Sequence, residues 1–213
     1  MHLPTMHRIF SLLLLISMAG PALLLAKHPD ENDLLTAVRL SQQQRFRQKV
    51  DSIRLTLPAW LRQHGFNEHT AIIADLSLHS GLPRMLVLDL ASGKITDSGM
   101  VAHGSGGNSY SEEARFSNEP NSYCSSLGKY KIGAAYTGRF GLAFKLYGLE
   151  TSNNNAFRRA VVLHGHECVP EASNFPDMIC NSLGCPTVSP SFLKRLEKTI
   201  RASAKPMLLW IIN

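Results

Sequence analysis

Apolar and polar residues follow a helical period in the first part of the chain beyond residue 30. Between residues 33 and 63, apolar side chains recur at spacings of four, three and four, with Gln and Arg residues between them. This period predicts an amphipathic helix whose apolar positions are Phe46, Val50, Ile53 and Leu57. Leu57-Pro58 predicts a break in the helix, and His64-Gly65 predicts its end. We expect a cap that packs on the main domain rather than a helix that binds a partner.

From about residue 70, short apolar runs replace the helical period. Each run is bounded by Gly, Pro, Ser or Asp, and turn residues recur at Ser92-Gly93, Gly104–Gly107 and Gly148. Short strands with this spacing predict a mixed or antiparallel β core. The runs are Ile72–Asp75, Met85–Asp89, Gly99–Ala102, Leu142–Tyr147, Ala160–Leu163 and Met207–Ile212.

A second helix is predicted close to the end of the chain. Ser189 suits its N-cap and Pro190 its first turn. Its apolar face consists of Phe192, Leu193, Leu196 and Ile200. The Asn181–Pro186 segment therefore lies in a loop just ahead of a helix, where functional side chains are often found.

The first 26 residues have the layout of a secretory signal. A weakly basic start leads into the apolar run Ile9–Met18, Gly20-Pro21 interrupts it, and Ala26 suits the last residue before cleavage. The alternatives are an uncleaved membrane anchor and a buried core helix. We expect export, with a periplasmic or secreted location and membrane contact only through an uncleaved signal.

The composition is that of a globular protein with one core: 213 residues, 44% hydrophobic and 18% charged. The net charge of +6 favours anionic surroundings. Lys and Arg are scattered rather than clustered with aromatic residues, so we do not expect nucleic-acid binding. Four cysteines in an exported chain suggest two disulfides by default.

One pair of segments carries candidate chemistry. Residues 160–166 predict a buried strand that ends at His164-Gly165, and residues 182–190 predict a tight loop that presents Cys185 beside a helix start. A thiol needs a base to become a reactive thiolate, and His is the usual one. Backbone N–H groups around Gly184-Cys185 are suited to hold an oxyanion. His166 competes with His164 as the base, because alternation places both on one face of a strand.

These segments resemble the L,D-transpeptidase catalytic domain family. That family pairs a His at a strand end with a Ser/Thr-x-Gly-Cys loop, and here seventeen residues separate His164 from the Ser182-Leu183-Gly184-Cys185 loop. Many members have His where this chain has Leu183, but a Gly-Cys-Pro branch has an apolar residue there. The resemblance covers roughly residues 70–212. Its other motifs are Ala74-Asp75, Arg84–Asp89, Val101–Gly104, Arg115–Asn118, Ser125–Tyr130, Gly148–Glu150 and Asn155–Arg159.

The resemblance implies a mainly β (α+β) fold: an L,D-transpeptidase-like β-sandwich catalytic domain with an N-terminal helical cap and one helix after the catalytic Cys loop. The implied organisation is a signal peptide at 1–26, a helical segment at 27–69 and the catalytic domain at 70–213. No cofactor is implied.

The implied activity is a two-step thiol mechanism on peptidoglycan stem peptides. Cys185 attacks the carbonyl of the third residue of a stem tetrapeptide, D-alanine leaves, and the acyl group passes to an amine or to water. His164 is the implied base, and the Gly165 carbonyl orients its ring. Ser182 shapes the loop, and the N–H groups of Gly184 and Cys185 are the expected oxyanion donors.

Further residues are candidates for binding the carboxylate-rich stem peptide, with structural or solvated roles as their alternatives. They are His166, His103, Arg115, Asn118, Tyr130 and Arg159.

The cysteines and histidines also allow a disulfide or a metal site. A Cys168–Cys180 disulfide is the leading pairing and leaves Cys124 free. A bridge from Cys185 to Cys168 or Cys180 is one alternative, and other pairings are open. No metal site is expected, because the spacing fits neither a zinc deaminase nor Cys-x-x-Cys knuckles.

Three functions follow as hypotheses. The first is a cell-wall L,D-transpeptidase whose acceptor is a stem peptide or an amine-bearing wall protein. The second is an L,D-carboxypeptidase or other cysteine hydrolase that uses water. The third is a non-catalytic wall-binding protein with Cys185 in a disulfide.

Overall fold

A computed structural model describes residues 30–108 and 110–213. The predicted signal, residues 1–26, lies outside the described residues. In chain order the elements are α1 Glu31–Gln63, β1 Thr70–Asp75, β2 Met85–Asp89, β3 Ile95–Gly99, β4 Val101–Ala102, β5 Gly128–Gly138, β6 Gly141–Gly148, β7 Val162–Gly165, β8 Thr187–Val188, α2 Pro190–Arg201 and β9 Leu208–Ile212. Among these described residues, no helix is both long and apolar enough to cross a bilayer.

The strands form one hydrogen-bonded sheet in the order β3-β2-β1-β9-β5-β6-β7-β8-β4. Most neighbours are antiparallel, and the β1–β9 and β7–β8 pairs are parallel. The two end strands, β3 and β4, are joined by Met100 alone. Since one residue spans only about 3.8 Å per Cα step, the sheet must curve until its edges meet. The predicted mainly β fold with an N-terminal helix and one later helix is confirmed.

The curved sheet encloses the main core, and α1 covers part of its outside. Alternate residues of nearly every strand point inward, where they pack with the apolar face of α2. The opposite face of β1, β2 and β9 packs against α1 through Phe46, Val50, Ile53, Leu57 and Leu61. The predicted role of α1 as a packed cap is therefore correct.

The predicted break at Leu57-Pro58 is wrong, because α1 continues through Pro58 to Gln63. Proline removes one helical hydrogen bond, but Leu57 just before it and Leu61 one turn after it are 2% and 0% exposed. Their burial against the sheet outweighs the lost bond. The predicted end is correct, since His64 is the C-cap and Gly65 has a φ of 73°.

The start of α2 also follows its sequence signals. The Ser189 hydroxyl accepts a hydrogen bond from the Phe192 N–H at 3.2 Å, and Pro190 occupies the first turn. This cap fixes where the chain turns from β8 into the helix.

Three strand predictions need correction. The Gly99–Ala102 run is divided at Met100 between β3 and β4. The longest strand, β5, and the short strand β8 were not predicted. Glycines lie at both ends of β5 and at Gly133 inside it, and the pairing of β5 with β6 shifts register between Ile132 and Ala135. These features hide its alternation.

Candidate active site

The strands β7 and β8 bring the candidate nucleophile and base to one face of the sheet. His164 of β7 is the parallel partner of Thr187 of β8. Continuing this register by two residues places Cys185 opposite Val162, and the Val162 N–H lies 3.5 Å from Cys185 Sγ. Because side chains two apart share a face, Cys185, Thr187 and His164 all lie on the face opposite the core.

The turn that carries Cys185 is closed by Ser182. The Ser182 hydroxyl donates to the Cys185 carbonyl oxygen at 2.6 Å and accepts from the Gly184 N–H at 3.1 Å. Gly184 has a φ of 112°, and a Cβ there would lie 2.7 Å from the Cys124 carbonyl oxygen. Only glycine fits this position without moving the backbone.

This geometry corrects the predicted oxyanion donors. The Gly184 N–H is already bonded to Ser182, so it does not point freely into the cleft. The Cys185 N–H has no acceptor among residues 30–108 and 110–213. Of the two predicted donors, only the Cys185 N–H is therefore available to an oxyanion.

The hydrogen bonds of His164 define its tautomer. Nδ1 lies 3.1 Å from the Gly165 carbonyl oxygen, which can only accept, so Nδ1 carries the proton. Nε2 therefore holds a lone pair, and it accepts a hydrogen bond from the Thr187 hydroxyl at 3.0 Å. The Phe140 ring stacks on the imidazole at 4.4 Å between centroids. Burial lowers the pKa of His164, so the ring is neutral at neutral pH.

Cys185 is a free, half-buried thiol. Burial raises its pKa, against the opposing effects of the Val162 N–H and the Arg159 charge. Cys185 and His164 line one cavity of about 210 Å³. No direct hydrogen bond joins them in the described part of the chain, where Thr187 occupies His164 Nε2. The resting site thus holds a neutral thiol beside a neutral base, and the thiol depends on that base for activation.

A disulfide joins Cys168 and Cys180, the pairing that the sequence analysis favoured. It lies in the wall of the Cys185 cavity and staples the connection between His164 and Ser182. Cys185 forms no disulfide, and Cys124 is a buried free thiol. The alternative bridge from Cys185 to Cys168 or Cys180 is therefore wrong.

His166 lies at the rim of the same cavity. Its ring is exposed, meets the edge of Phe140 at 6.0 Å, and accepts the Cys168 N–H through Nδ1 at 3.1 Å. It shares a face with His164, as alternation predicted, but it lies nearer to solvent.

Most of the other predicted binding residues use their polar atoms inside the protein. Tyr130 is fully buried, and its hydroxyl donates to the Ser126 carbonyl oxygen at 2.7 Å, so it cannot touch a substrate. The Asn118 amide bonds to Thr151 and Asn154.

Arg159 and Arg115 also lie outside the cavity. Arg159 donates to the carbonyl oxygens of Ser117 and Cys124 at 2.9 and 2.6 Å, which holds the 117–126 segment against the Gly184 turn. It is a positioning residue for this turn. Arg115 is exposed and runs beside Gly106.

His103 lies behind the site rather than in it. It is 0% exposed, and Arg84 donates to its Nδ1 at 2.8 Å. Burial and the Arg84 charge lower the pKa of His103 to about 4. Its carbonyl oxygen accepts the Ser182 N–H at 2.8 Å, so the residue supports the Cys185 loop from below. The predicted substrate contact for His103 does not fit this position.

Sequence reasoning missed two residues that touch His164. Thr187 is two positions after Cys185, and strand alternation from Cys185 would have placed it on the same face. Phe140 is at the tip of the β5–β6 hairpin between Gly138 and Gly141. An aromatic residue in a glycine-flanked turn is a weak signal, and only the folded hairpin brings it over the imidazole.

No group of three or more His, Cys, Asp or Glu side chains that could hold a metal ion occurs within the described residues. Of the cysteines in the cavity wall, Cys168 and Cys180 form the disulfide and Cys185 is the free thiol.

Comparison with known proteins bears on this site. Residues 42–209 match the family model described as the L,D-transpeptidase catalytic domain. No curated protein sequence matches the chain significantly.

Solved structures give only distant likenesses. An L,D-transpeptidase from Xylanimonas cellulosilytica is 14% identical with a TM-score of 0.38, covering 67% of this chain and 59% of that chain. The helical cell shape determining protein Pgp2 from Campylobacter jejuni is 10% identical with a TM-score of 0.42, covering 67% and 46%. An L,D-transpeptidase from Mycobacterium tuberculosis is 13% identical with a TM-score of 0.36, covering 68% and 58%. This chain spans less than two thirds of the length of each.

Proposed function

This chain belongs to the L,D-transpeptidase catalytic domain family, and on that premise we propose that it is a cell-wall acyltransferase with Cys185 as its nucleophile. Its substrate is the stem tetrapeptide of peptidoglycan, cut between the third residue and the terminal D-alanine. One observation carries the proposal: a free thiol and a neutral imidazole with a protonated Nδ1 line the same cavity.

The proposed reaction proceeds in two balanced steps. As Cys185 Sγ attacks the carbonyl carbon, its proton passes to His164, and His164 then protonates the departing nitrogen of D-alanine. The acyl group remains on sulfur as a thioester. An acceptor amine attacks this thioester, its proton passes through His164, and the thiol is restored. The Cys185 N–H, which has no acceptor in the described part of the chain, is the proposed oxyanion donor in both steps.

A second cavity supports transfer to an amine over hydrolysis. It has a volume of about 650 Å³ and shares Phe140 and His166 with the Cys185 cavity. Its far wall is formed by α2. A cavity of about 650 Å³ beside the thioester has room for a second stem peptide, which a reaction with water alone would not need.

We also propose that the protein works after export, in the periplasm or outside the cell. The Cys168–Cys180 disulfide supports this location, because such bonds persist in oxidising compartments. The secretory layout of residues 1–26 supports it independently.

The decisive test is incubation of the purified, oxidised protein with disaccharide tetrapeptides, with products identified by mass spectrometry. Cross-linked dimers that vanish in Cys185→Ala are expected, whereas tripeptide alone would indicate a hydrolase. Cys124→Ala is the matched control, since it removes the other free thiol, which is not in the cavity wall. Failure of Cys185 to react with a thiol label in the non-reduced protein would exclude both enzymatic functions.

A further inference from the structure

Two lysine amines and three aromatic rings form a row along the outer face of the β5–β6 hairpin, with one ring, Phe157, contributed by the segment after β6. Tyr147 and Phe157 stack at 5.1 Å with an angle of 10° between their planes. Lys131 Nζ lies 5.0 Å from the Tyr147 ring, and Lys145 Nζ lies 5.8 and 5.9 Å from Phe157 and Tyr136. We call these five residues the lysine–aromatic ladder.

The ladder is continuous with the candidate active site. Lys145 of β6 is the antiparallel partner of Val162, whose N–H touches the Cys185 sulfur. Ala143, two residues before Lys145, is the partner of both Tyr136 and His164. Because partners in register project from the same face, the ladder lies on the face that bears His164, one strand from Cys185.

The amines of the ladder have no acidic partner. Neither Lys131 nor Lys145 forms a salt bridge within residues 30–108 and 110–213, whereas Lys129 pairs with Glu150 and Lys205 with Glu68. The rings hold the two ammonium groups in place without neutralising them, since cation–π attraction leaves the charge available. Each amine has therefore already lost part of the side-chain freedom that binding an anion would cost.

We propose that the ladder binds the carboxylates of the peptidoglycan stem peptides and so holds the polymer beside Cys185. This inference rests on the proposed function and specifies how its substrate is recognised. A stem peptide carries several carboxylates within a few residues of the bond to be cut, which matches two fixed cations near the nucleophile. Three of the residues first expected to bind these groups, Asn118, Arg159 and Tyr130, are engaged inside the protein.

The test measures sedimentation of the Cys185→Ala protein with purified sacculi as salt is raised. Replacing both ladder lysines, in Lys131→Gln with Lys145→Gln, should weaken binding about fivefold to tenfold at low salt. That variant should also flatten the salt dependence. The matched control is Lys94→Gln with Lys198→Gln, which removes the same charge from exposed positions outside the ladder. Sacculi with amidated stem carboxylates should bind wild-type and ladder variant equally weakly.

Other outcomes would overturn the inference. One is equal loss of binding in the ladder and control variants. Another is a ladder variant that loses affinity for anionic lipid vesicles but not for sacculi, which would assign the surface to a membrane.

The turnover assay keeps this inference separate from the proposed function. If the wild type turns over the substrate and the ladder substitutions leave KM unchanged, the binding role of the ladder is contradicted but the proposed reaction is not. If the wild type shows no turnover but its binding to sacculi depends on the ladder lysines, the proposed reaction is contradicted and the binding role of the ladder is supported.

Discussion

The Thr187 hydroxyl lies 3.0 Å from Nε2 of His164, on the ring nitrogen opposite the one that donates to Gly165. The same hydroxyl is 3.3 Å from the Cys185 carbonyl oxygen. With a neutral ring, Thr187 donates to Nε2. With a protonated ring, Nε2 donates to Thr187, which turns its own proton to the Cys185 carbonyl. Thr187 therefore has a hydrogen-bonding partner for both protonation states of the base.

Replacing Thr187 should lower the rate of the chemical step with little effect on substrate affinity. Thr187→Val removes the hydroxyl that supports the imidazolium, and a lost charge-assisted bond costs about tenfold or more in kcat. Thr187→Ser restores the hydroxyl and should recover most of the rate. The measurement is kcat and KM for D-alanine release. A Val variant with unchanged kcat would show that His164 does not use this bond.

Phe140 should set the lower pH limit of activity. Its ring stacks on His164, and burial lowers the pKa of that histidine below the ordinary value of 6.5. Phe140→Ala admits water and should raise the pKa of His164 toward 6.5. More of the base is then protonated below this pH, so activity falls at a higher pH than in the wild type.

The check is the pH profile of Cys185 alkylation and of turnover, with His164 titrated by NMR. Phe140→Leu is the control, because it keeps an apolar cover over the ring without stacking. Coincident acid limits for the Ala variant and the wild type would contradict the assignment.

The sequence predicted features set by neighbouring residues better than features set by contacts between distant parts of the chain. The capping of α2 by Ser189 and the strand ending at His164 depend on neighbouring residues, so they were visible in the sequence. The path of α1 through Pro58 depends on a sheet surface contributed by β1, β2 and β9. No local pattern around Pro58 reports that surface.

The same distinction applies to the site. Cys185, Ser182 and His164 occur in a motif with fixed spacing, and the structure places them around one cavity. Thr187 and Phe140 contact His164 from separate strands, so their roles follow from strand register and hairpin position. The binding role predicted for Tyr130 did not fit because sequence alone does not distinguish an inward from an outward position on the irregular strand β5.

Gly184→Ala should destabilise the protein more than an alanine at another glycine of positive φ. Gly65, with a φ of +73° and open space around it, measures the cost of a left-handed backbone without a contact, about 1 kcal/mol, while the φ of +112° at Gly184 lies farther from the left-handed well. At Gly184 the added Cβ also meets the Cys124 carbonyl oxygen at 2.7 Å. We expect a total loss of at least about 2 kcal/mol in the free energy of unfolding, together with a displaced Cys185 turn.

Urea unfolding of the two glycine variants measures the difference, and the rate of Cys185 alkylation reports on the turn. Equal losses for Gly65→Ala and Gly184→Ala would show that the turn moves without cost. In that case the close approach of Gly184 to Cys124 is not what fixes the nucleophile.

His103 should make the protein sensitive to acid. Arg84 donates to His103 Nδ1 at 2.8 Å, and Nε2 lies 3.2 Å from the Ser111 carbonyl oxygen, so the native ring is neutral with its proton on Nε2. The native pKa of about 4 lies below the ordinary 6.5, because burial and then the Arg84 charge disfavour protonation. Between about pH 6.5 and pH 4, His103 therefore binds a proton in the unfolded chain but not in the folded protein. The stability from His103 is complete above about pH 6.5 and declines as the pH falls toward 4.

Between about pH 7 and pH 4.5, this linkage should remove about 2 kcal/mol from the free energy of unfolding. His103→Gln, whose amide oxygen can still accept from Arg84, should be less stable than the wild type at pH 7. Its deficit should shrink by that amount at pH 4.5, since glutamine does not titrate. Urea unfolding of the oxidised protein at the two pH values gives the difference, with the exposed His69→Gln as the control. If the wild type and His103→Gln lose the same free energy of unfolding between the two pH values, the acid sensitivity lies elsewhere. The two stabilities converge at low pH only if His103 itself has different pKa values in the native and unfolded states.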